Sequence, residues 1–158
     1  MEACCFTGHR HLPTAGALDR LRADCEDAVK QAYLLGCRRF YAGGALGFDM
    51  LAAAVVCRLR DTEYPDMSLH LILPCRDQEA RWSERDKLRY TAMLSLADTR
   101  RYLYDAYTEG VMAARNRALI AASDLCIAYL TNYASGTGMT YREAVRKGVP
   151  IWNLASRA

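Results

Sequence analysis

Short apolar runs alternate with longer amphipathic runs along the chain. The short runs are continuous, like strands buried on both faces, and the longer runs carry apolar residues at helical spacing. Continuous apolar strands joined by crossover helices are typical of a parallel sheet that is covered on both faces. The sequence therefore predicts an α/β fold with a mostly parallel sheet of about six strands and helices on both faces.

The same pattern sets the expected bounds of the elements. We predict strands over residues 3–6, 39–42, 69–73, 101–104, 125–130 and 149–154. We predict helices over residues 18–35, 49–60, 79–97, 111–122 and 141–147, with glycine closing the first and the last. The chain has 158 residues and no repeat or linker-like segment, so we expect one domain over residues 1–158.

A glycine-rich segment lies between the second predicted strand and the second predicted helix. Gly43, Gly44 and Gly47 have no Cβ, so they allow positive φ and the close approach of a ligand. The helix that follows presents unpaired N–H groups, and a strand, a glycine turn and a helix start together form an anion-binding turn in many proteins. The spacing is not the dinucleotide fingerprint, and the P-loop lysine is missing. A tight connection without a ligand is therefore the alternative.

Polar residues follow the first and third predicted strands. In a parallel sheet, ligands bind beyond the carboxyl ends of the strands, near the point where the strand order reverses. Gln78 can read a base or sugar edge, and Trp82 can stack on a ring or pack its helix on the sheet. Asp49, at the start of the second predicted helix, can bind a ribose or a base. The candidate binding residues after the first strand are Thr7, Gly8, His9 and Arg10.

A second glycine- and hydroxyl-rich segment, residues 131–140, follows the fifth predicted strand and leads into a helix. Two such segments on one sheet favour a ligand that carries phosphate. Glu143 either closes a capping box with Thr140 or aims its carboxylate into the cleft. Arg115 and Asn116 begin the helix before the fifth strand and face either the cleft or solvent. The candidate phosphate-binding residues of this second segment are Gly136, Thr137, Gly138 and Thr140.

Charge and cysteine usage narrow the function classes. The 21 basic and 18 acidic side chains give a net charge of +3, which is too balanced to argue for nucleic acid. The 7 cysteines form no CxxC pair and no Cys/His cluster, so we expect no metal site and no cofactor, and buried thiols in a reducing cytoplasm. No apolar run approaches the roughly 18 residues that span a bilayer, so we expect no membrane partner.

The residues at the predicted strand ends together resemble one known family. The segments that carry the resemblance are residues 7–10, 43–49, 74 with 78 and 82, 115–116, 123–124 and 136–140. Their pattern resembles the YpsA family of the SLOG superfamily, which also contains the LOG-type nucleoside-monophosphate phosphoribohydrolases and the DNA-processing protein DprA. The resemblance implies a Rossmann-like three-layer sandwich. It also implies binding of a nucleotide-derived ligand, with no established reaction.

The resemblance to LOG enzymes is partial. Arg115 stands nine residues before Asp124, and residues 140–143 match Thr-x-x-Glu. By this resemblance Arg115 and Glu143 are the catalytic candidates. The chain departs from the LOG pattern where Asn116 replaces a lysine, where Ser135 and Met139 replace a proline and a glycine, and where Gly138 falls one place off. The segment can therefore keep an anion site while the chemistry is lost or altered.

The sequence thus supports several functions in order. The first is binding of a nucleotide or an ADP-ribose-like phosphate ligand at the carboxyl edge of the sheet. The second is hydrolysis of the N-glycosidic bond of a nucleoside 5′-monophosphate. DNA binding of the DprA kind and a non-catalytic interaction module are further alternatives. Three tyrosines near one short strand are open to two interpretations, core packing or a homo-oligomer face: Tyr102, Tyr104 and Tyr107.

Overall fold

The computed structural model describes residues 1–132 and 136–156 of the chain. Within them strands and helices alternate. The strands are β1 (Ala3–Gly8), β2 (Arg39–Ala42), β3 (Ser68–Cys75), β4 (Thr99–Tyr104), β5 (Leu125–Tyr129) and β6 (Ile151–Asn153). The helices are α1 (Ala15–Leu34), α2 (Phe48–Thr62), α3 (Glu84–Leu96), α4 (Val111–Ala121) and α5 (Gly136–Lys147), and a short 3-10 turn (Leu154–Ser156) follows β6.

All six strands form one parallel sheet in the order β4-β3-β2-β1-β5-β6. This confirms the predicted Rossmann-like α/β fold. The chain runs outward from β1 to β4 and then returns to place β5 on the other side of β1. The strand order therefore reverses between β1 and β5, which are in register with Thr7 opposite Ala128. Ligands are expected beyond the carboxyl ends of these two strands.

The sheet separates two apolar layers. On one face, α1, α2 and α3 pack against the larger cluster, in which the Phe6 ring lies 6.2 Å from the ring of Phe40 and 6.4 Å from that of Phe48. On the other face, α4 and α5 contribute Leu119 and Ala144 to a smaller cluster. Buried residues of α1 recur at helical spacing, because one stripe of the helix faces the sheet: Leu21, Cys25, Ala28, Val29 and Ala32.

The cysteines are core residues, as predicted. All 7 are free and buried. Burial raises the pKa of the Cys25 thiol to about 12, because the thiolate is disfavoured away from water. These side chains therefore act as small apolar groups.

Several element bounds differ from the prediction. Helix α3 begins at Glu84 rather than at residue 79, because Ser83 caps it by accepting a hydrogen bond from the amide of Asp86 at 3.2 Å. Strand β3 continues through Pro74 instead of ending there. Its neighbour β2 ends opposite Leu71, so on that side a missing N–H removes no ladder bond.

The last helix also begins earlier than predicted. Helix α5 starts at Gly136, so Gly138 and Thr140 lie inside the helix rather than in a loop before it. Residues 133–135, including Ser135 of the second predicted anion-binding segment, lie outside the described residues. β6 begins at Ile151 rather than at residue 149, because the amide of Val149 still bonds to the carbonyl of Ala144 in α5 at 2.9 Å.

Candidate functional site

A cleft of about 580 Å³ opens beyond the carboxyl ends of β1 and β5, where the strand order reverses. This volume suits a small-molecule ligand. Segments that are far apart in the sequence line it: the end of β1 and the turn after it, the turn before α2 with the first turn of that helix, Gln78 and Trp82, α4, and the segment after β5. The cleft therefore exists only because the sheet brings these segments to one edge.

Eight of the predicted site residues line this cleft: Thr7, Gly8, His9, Arg10, Asp49, Gln78, Arg115 and Asn116. Trp82 lines it as well. Other predicted residues are not among the lining residues: Gly43, Gly44, Gly47, Gly138, Thr140 and Glu143. Gly136 and Thr137 begin α5, and the side chain of Thr137 lies outside what the structure describes.

The first glycine segment is tied to the protein itself. The amide of Ala45 donates to the Asp49 carboxylate at 3.2 Å, and the amide of Phe48 donates to the carbonyl of His9 at 3.1 Å. Gly47 has a φ of 85°, and a Cβ there would lie 2.2 Å from the carbonyl oxygen of Arg10. The close approach that Gly47 permits is therefore an approach of the turn after β1.

Arg115 joins α4 to the same glycine segment. Its side chain is buried, with 7% of the residue exposed, and its Nη1 donates to the carbonyl of Gly43 at 2.7 Å. Its Nε donates to the amide oxygen of Asn116 at 2.9 Å. A Cβ on Gly43 would lie 2.6 Å from the Arg115 Cδ, so glycine is required there for the arginine to lie flat against the turn.

Asp49 provides the nearby negative charge. The residue is 5% exposed, and burial raises the pKa of its carboxyl, while Arg115 and the amides of Ala45 and Gly43 oppose that shift. Burial likewise lowers the pKa of Arg115, and Asp49 opposes the change. An arginine stays protonated in a protein, so the guanidinium remains a buried cation. Among the described residues, no carboxylate oxygen lies within ion-pair distance of it.

Gln78 and Trp82 form the opposite wall. The Gln78 amide nitrogen donates to the Tyr90 hydroxyl at 3.2 Å and to the carbonyl of Gly44 at 3.4 Å. The Trp82 ring meets the Tyr90 ring edge-on at 5.3 Å, and the guanidinium of Arg10 lies 5.8 Å from the Trp82 ring. Burial raises the pKa of Tyr90 to about 12, so its hydroxyl stays neutral. This wall thus presents an aromatic ring, an amide and an exposed cation.

His9 connects the two central strand ends. Its Nε2 accepts a hydrogen bond from the amide of Thr131 at 2.7 Å. Burial lowers the pKa of the His9 imidazole, which favours the neutral ring that this bond requires. The amide of His9 also donates to the carbonyl of Tyr129 at 3.1 Å. His9 therefore holds the segment after β5 against the turn after β1.

Glu143 pairs with basic residues of its own helix, α5. Its carboxylate accepts two hydrogen bonds from Arg146, at 2.9 and 3.2 Å, and lies 3.9 Å from the ammonium of Lys147. The hydrogen bond from Arg146 lowers the pKa of this carboxyl. The capping-box interpretation with Thr140 does not hold, because α5 already begins at Gly136 and Thr140 is not its first residue.

Asp124, the other residue of the LOG-like spacing, directly precedes β5. It therefore lies where the strands begin, at the opposite edge of the sheet from the cleft. Its carboxylate accepts hydrogen bonds from the amides of Glu2 at 2.8 Å and Ala3 at 3.1 Å. It therefore secures the start of β1 beside the start of β5.

Sequence reasoning did not single out several lining residues. Met112 stands three residues before Arg115 on α4, so helical spacing alone places both on one face. Four others lie within the two predicted anion-binding segments but were not named as site residues: Ala45, Leu46, Thr131 and Asn132. No local signal marked His11 and Leu119, which reach the cleft only through the fold.

Two structural absences concern the described residues 1–132 and 136–156. No helix there combines the length and apolar character that a membrane crossing needs. No group of three His, Cys, Asp or Glu side chains there could hold a metal ion.

Comparison with known proteins places the chain in a family. The sequence pattern of the YspA SLOG family (YpsA) matches residues 15–149. The chain belongs to the YpsA SLOG family.

Relatives in this family carry the name UPF0398 protein. The chain is 35% identical to a UPF0398 protein of Shouchella clausii over 78 residues, which cover 49% of the chain and 42% of that relative. It is 29% identical to one from Halalkalibacterium halodurans over 114 residues, which cover 71% of the chain and 60% of that relative. The chain therefore spans less than two thirds of the length of these curated relatives.

Solved structures show the same fold. DNA processing protein A of Helicobacter pylori, whose single-stranded DNA binding mode has been described, superimposes with a TM-score of 0.67 at 19% identity. That match covers 95% of the chain and 63% of the H. pylori protein. DNA processing protein A of Streptococcus pneumoniae also gives a TM-score of 0.67, at 13% identity, with 95% and 49% of the two chains covered.

Proposed function

We propose that the cleft at the ends of β1 and β5 binds a nucleotide or a nucleotide-derived phosphate ligand, such as an ADP-ribose-like molecule. The observation that carries this proposal is the buried guanidinium of Arg115, which lines the cleft with no carboxylate in contact among the described residues. A buried charge is costly unless it is paired. The guanidinium already donates to Gly43 and Asn116 and lies near Asp49, and an anionic ligand would add a charged partner in direct contact.

The polar groups around Arg115 suit the other parts of a nucleotide. Arg10 is exposed at the mouth of the cleft and can hold a phosphate through its forked donors. Trp82 presents an aromatic face for a base, and Gln78 and Asn116 offer amide groups for a base or a ribose. These roles follow from position and chemistry together.

The beginning of α5 supports the phosphate end of the proposal. This helix follows β5 and runs for 12 residues, so its N-terminal amides and its dipole favour negative charge. Thr131 and Asn132, which line the cleft, come directly before residues 133–135 and the start of α5.

A thermal-shift panel tests the proposal. The panel contains the four nucleoside 5′-monophosphates, ADP-ribose, inorganic phosphate and a short single-stranded DNA, each added to the purified chain. A ligand at 100 times its Kd should stabilise the fold by about 2.7 kcal/mol. We expect at least one nucleotide to raise the Tm more than phosphate alone.

Matched variants assign the effect to the cleft. Arg10→Gln should reduce the shift, whereas Arg20→Gln, which removes the same charge from an exposed position of α1, should leave it unchanged. Arg115→Lys, checked for folding by circular dichroism, should weaken binding further because a lysine lacks the forked geometry. The proposal fails if no nucleotide shifts the Tm, or if Arg10→Gln and Arg115→Lys respond like Arg20→Gln. A shift with the DNA alone would favour nucleic acid instead.

A further inference from the structure

The side-chain amide of Gln78 is held in one orientation in the wall of the cleft. Its Nε2 donates to the Tyr90 hydroxyl at 3.2 Å and to the carbonyl oxygen of Gly44 at 3.4 Å. A carbonyl oxygen only accepts, so the NH2 end of the amide must face Gly44. Both N–H groups of the Gln78 side chain are therefore used within the protein, and its oxygen is the end left for a ligand.

The Gln78 oxygen is available in the cleft. It accepts no hydrogen bond from any residue of the ranges 1–132 and 136–156. Gln78 is only partly buried, and the one side-chain oxygen or nitrogen of those ranges that is buried without a partner belongs to Glu79. The Gln78 oxygen therefore reaches solvent. Because Gln78 lines the cleft, a ligand bound there can donate a hydrogen bond to this oxygen.

Tyr90 supports both Gln78 and Trp82. The residue is buried, its hydroxyl accepts the hydrogen bond from Gln78, and its ring meets the Trp82 ring edge-on at 5.3 Å. The amide and the indole therefore stand side by side on one buried side chain. Trp82 is the aromatic surface on which a base can stack, so we expect a stacked base to bring its polar edge toward Gln78.

We propose that Gln78 selects a base that carries an exocyclic amino group, such as adenine or cytosine, over a base with a carbonyl at the same position, such as hypoxanthine or uracil. The inference rests on the proposed function, because it names the class of nucleotide that the cleft takes. An amino group donates to the Gln78 oxygen, whereas a carbonyl meets it with a second acceptor. Reversing the amide gives no relief, because its oxygen would then face the carbonyl of Gly44.

Asn116, the other amide that lines the cleft, is held the opposite way. Its Oδ1 accepts a hydrogen bond from the Nε of Arg115 at 2.9 Å, and a guanidinium only donates. The NH2 end of Asn116 is therefore the end left for a ligand. If Asn116 read the base, the cleft would favour a carbonyl over an amino group. The two amides thus predict opposite preferences, which a binding measurement can distinguish.

Calorimetric titration with matched nucleotides tests the selection. AMP carries an amino group where IMP carries a carbonyl, and CMP and UMP differ in the same way, so each pair changes the base edge and keeps the ribose and the phosphate. The pair that binds more tightly decides the outcome. We expect its amino member to have a dissociation constant about tenfold lower, because one hydrogen bond is gained and one acceptor clash is avoided.

Three variants assign the preference to Gln78. Gln78→Met keeps the length of the side chain and removes the amide, so the two members of the pair should bind equally. Tyr90→Phe removes the hydroxyl that orients Gln78 and keeps the ring beside Trp82, so the ratio of the two dissociation constants should fall several-fold. Tyr90 is in this sense a positioning residue. Tyr33→Phe is the matched control, because its hydroxyl donates to Asp66 at 2.7 Å on the exposed surface, and it should keep the wild-type ratio.

The ratio within a pair separates recognition of the base from loss of structure, because a loosened cleft weakens both members alike. Equal binding of both members by the wild type overturns the inference and leaves the proposed function standing. Tighter binding of IMP or UMP overturns it as well and assigns the base to Asn116. A Gln78→Met variant that folds by circular dichroism and keeps the wild-type ratio also overturns it. If none of the four nucleotides binds, the proposed function fails together with the inference.

Discussion

Arg115 donates its Nη1 hydrogen bond to the carbonyl of Gly43 at 2.7 Å, across 72 positions of sequence. This bond holds α4 against the turn between β2 and α2 and sets the guanidinium beside the cleft. The turn carries glycine at position 43 because any side chain there would displace the arginine.

Gly43→Ala should therefore destabilise the protein. The new methyl would lie 2.6 Å from the Arg115 Cδ, and an overpacked buried site typically costs about 1–3 kcal/mol. Gly16→Ala is the control, because nothing lies within 4 Å of its Cβ position. Urea unfolding should show a lower free energy of unfolding for Gly43→Ala than for the wild type, and no decrease for Gly16→Ala. Equal stabilities would show that Arg115 moves aside freely.

Gly47→Ala should cost more than the same change at Gly110. Both glycines have positive φ, 85° and 90°. Gly110 has a ψ of −7° and lies in the left-handed region, where an alanine costs about 1–2 kcal/mol. Gly47 has a ψ of −122° and lies outside that region, so its backbone penalty is larger. Gly47 would also bring its Cβ within 2.2 Å of the Arg10 carbonyl, whereas nothing lies near Gly110. Thermal unfolding of the two variants measures the difference, and similar Tm values would contradict the packing described for Gly47.

Asp124 should make the free energy of unfolding depend on pH. The amides of Glu2 and Ala3 lower the pKa of its carboxyl in the folded chain. A carboxyl whose pKa is lower in the folded chain than in the unfolded chain stabilises the fold at pH values above its unfolded pKa of about 3.9. This stabilisation is lost as the pH falls through the folded pKa.

Asp124→Asn tests this dependence. It should be less stable than the wild type at neutral pH, and the gap should close in acid. Urea titrations at several pH values measure the gap. The exposed control Asp19→Asn, at the surface of α1, should show no such closing. A gap that widens in acid would contradict the assignment.

Ligand binding should change the fluorescence of Trp82. The chain has 2 tryptophans, and Trp82 lines the cleft whereas Trp152 lies on β6. If a base stacks on Trp82, emission should fall as ligand is added, and Trp152→Phe should keep the response. Trp82→Phe should lose it. A response that survives in Trp82→Phe would place the ligand elsewhere.

Glu143→Gln should leave nucleotide binding unchanged. The carboxylate is engaged by Arg146 and Lys147 and does not line the cleft. The same Tm panel measures binding, and chromatography of each nucleoside monophosphate after incubation looks for free base. Free base that the wild type releases and Glu143→Gln does not would support N-glycosidic hydrolysis through this residue.

Much of the fold could be predicted from local pattern. The buried strands are continuous apolar runs, and the helices have one apolar stripe, so their type and order were readable. Errors arose at boundaries set by other parts of the structure. Ser83 caps α3 later than the polar run suggested, and β3 passes through Pro74 because β2 has already ended beside it.

The candidate site was likewise predictable from the sequence only in part. The turn after β1 and the glycine turn after β2 were visible as motifs, since glycine and hydroxyl residues cluster at strand ends. The sequence could not show that Gly47 faces the backbone of Arg10 or that Arg115 donates to the carbonyl of Gly43. Such contacts join segments whose separation in sequence carries no distance information.

The sequence by itself determined the class of fold, because hydrophobic periodicity is a local property that specifies which residues must leave water. Only the tertiary structure decided the partners of the polar groups. It directed Arg115 toward Gly43, brought the amide of Thr131 to His9, and placed the amide of Glu2 against Asp124. The physical reason is that a side chain's partner depends on distances between elements, and those distances exist only after the strands have ordered around β1.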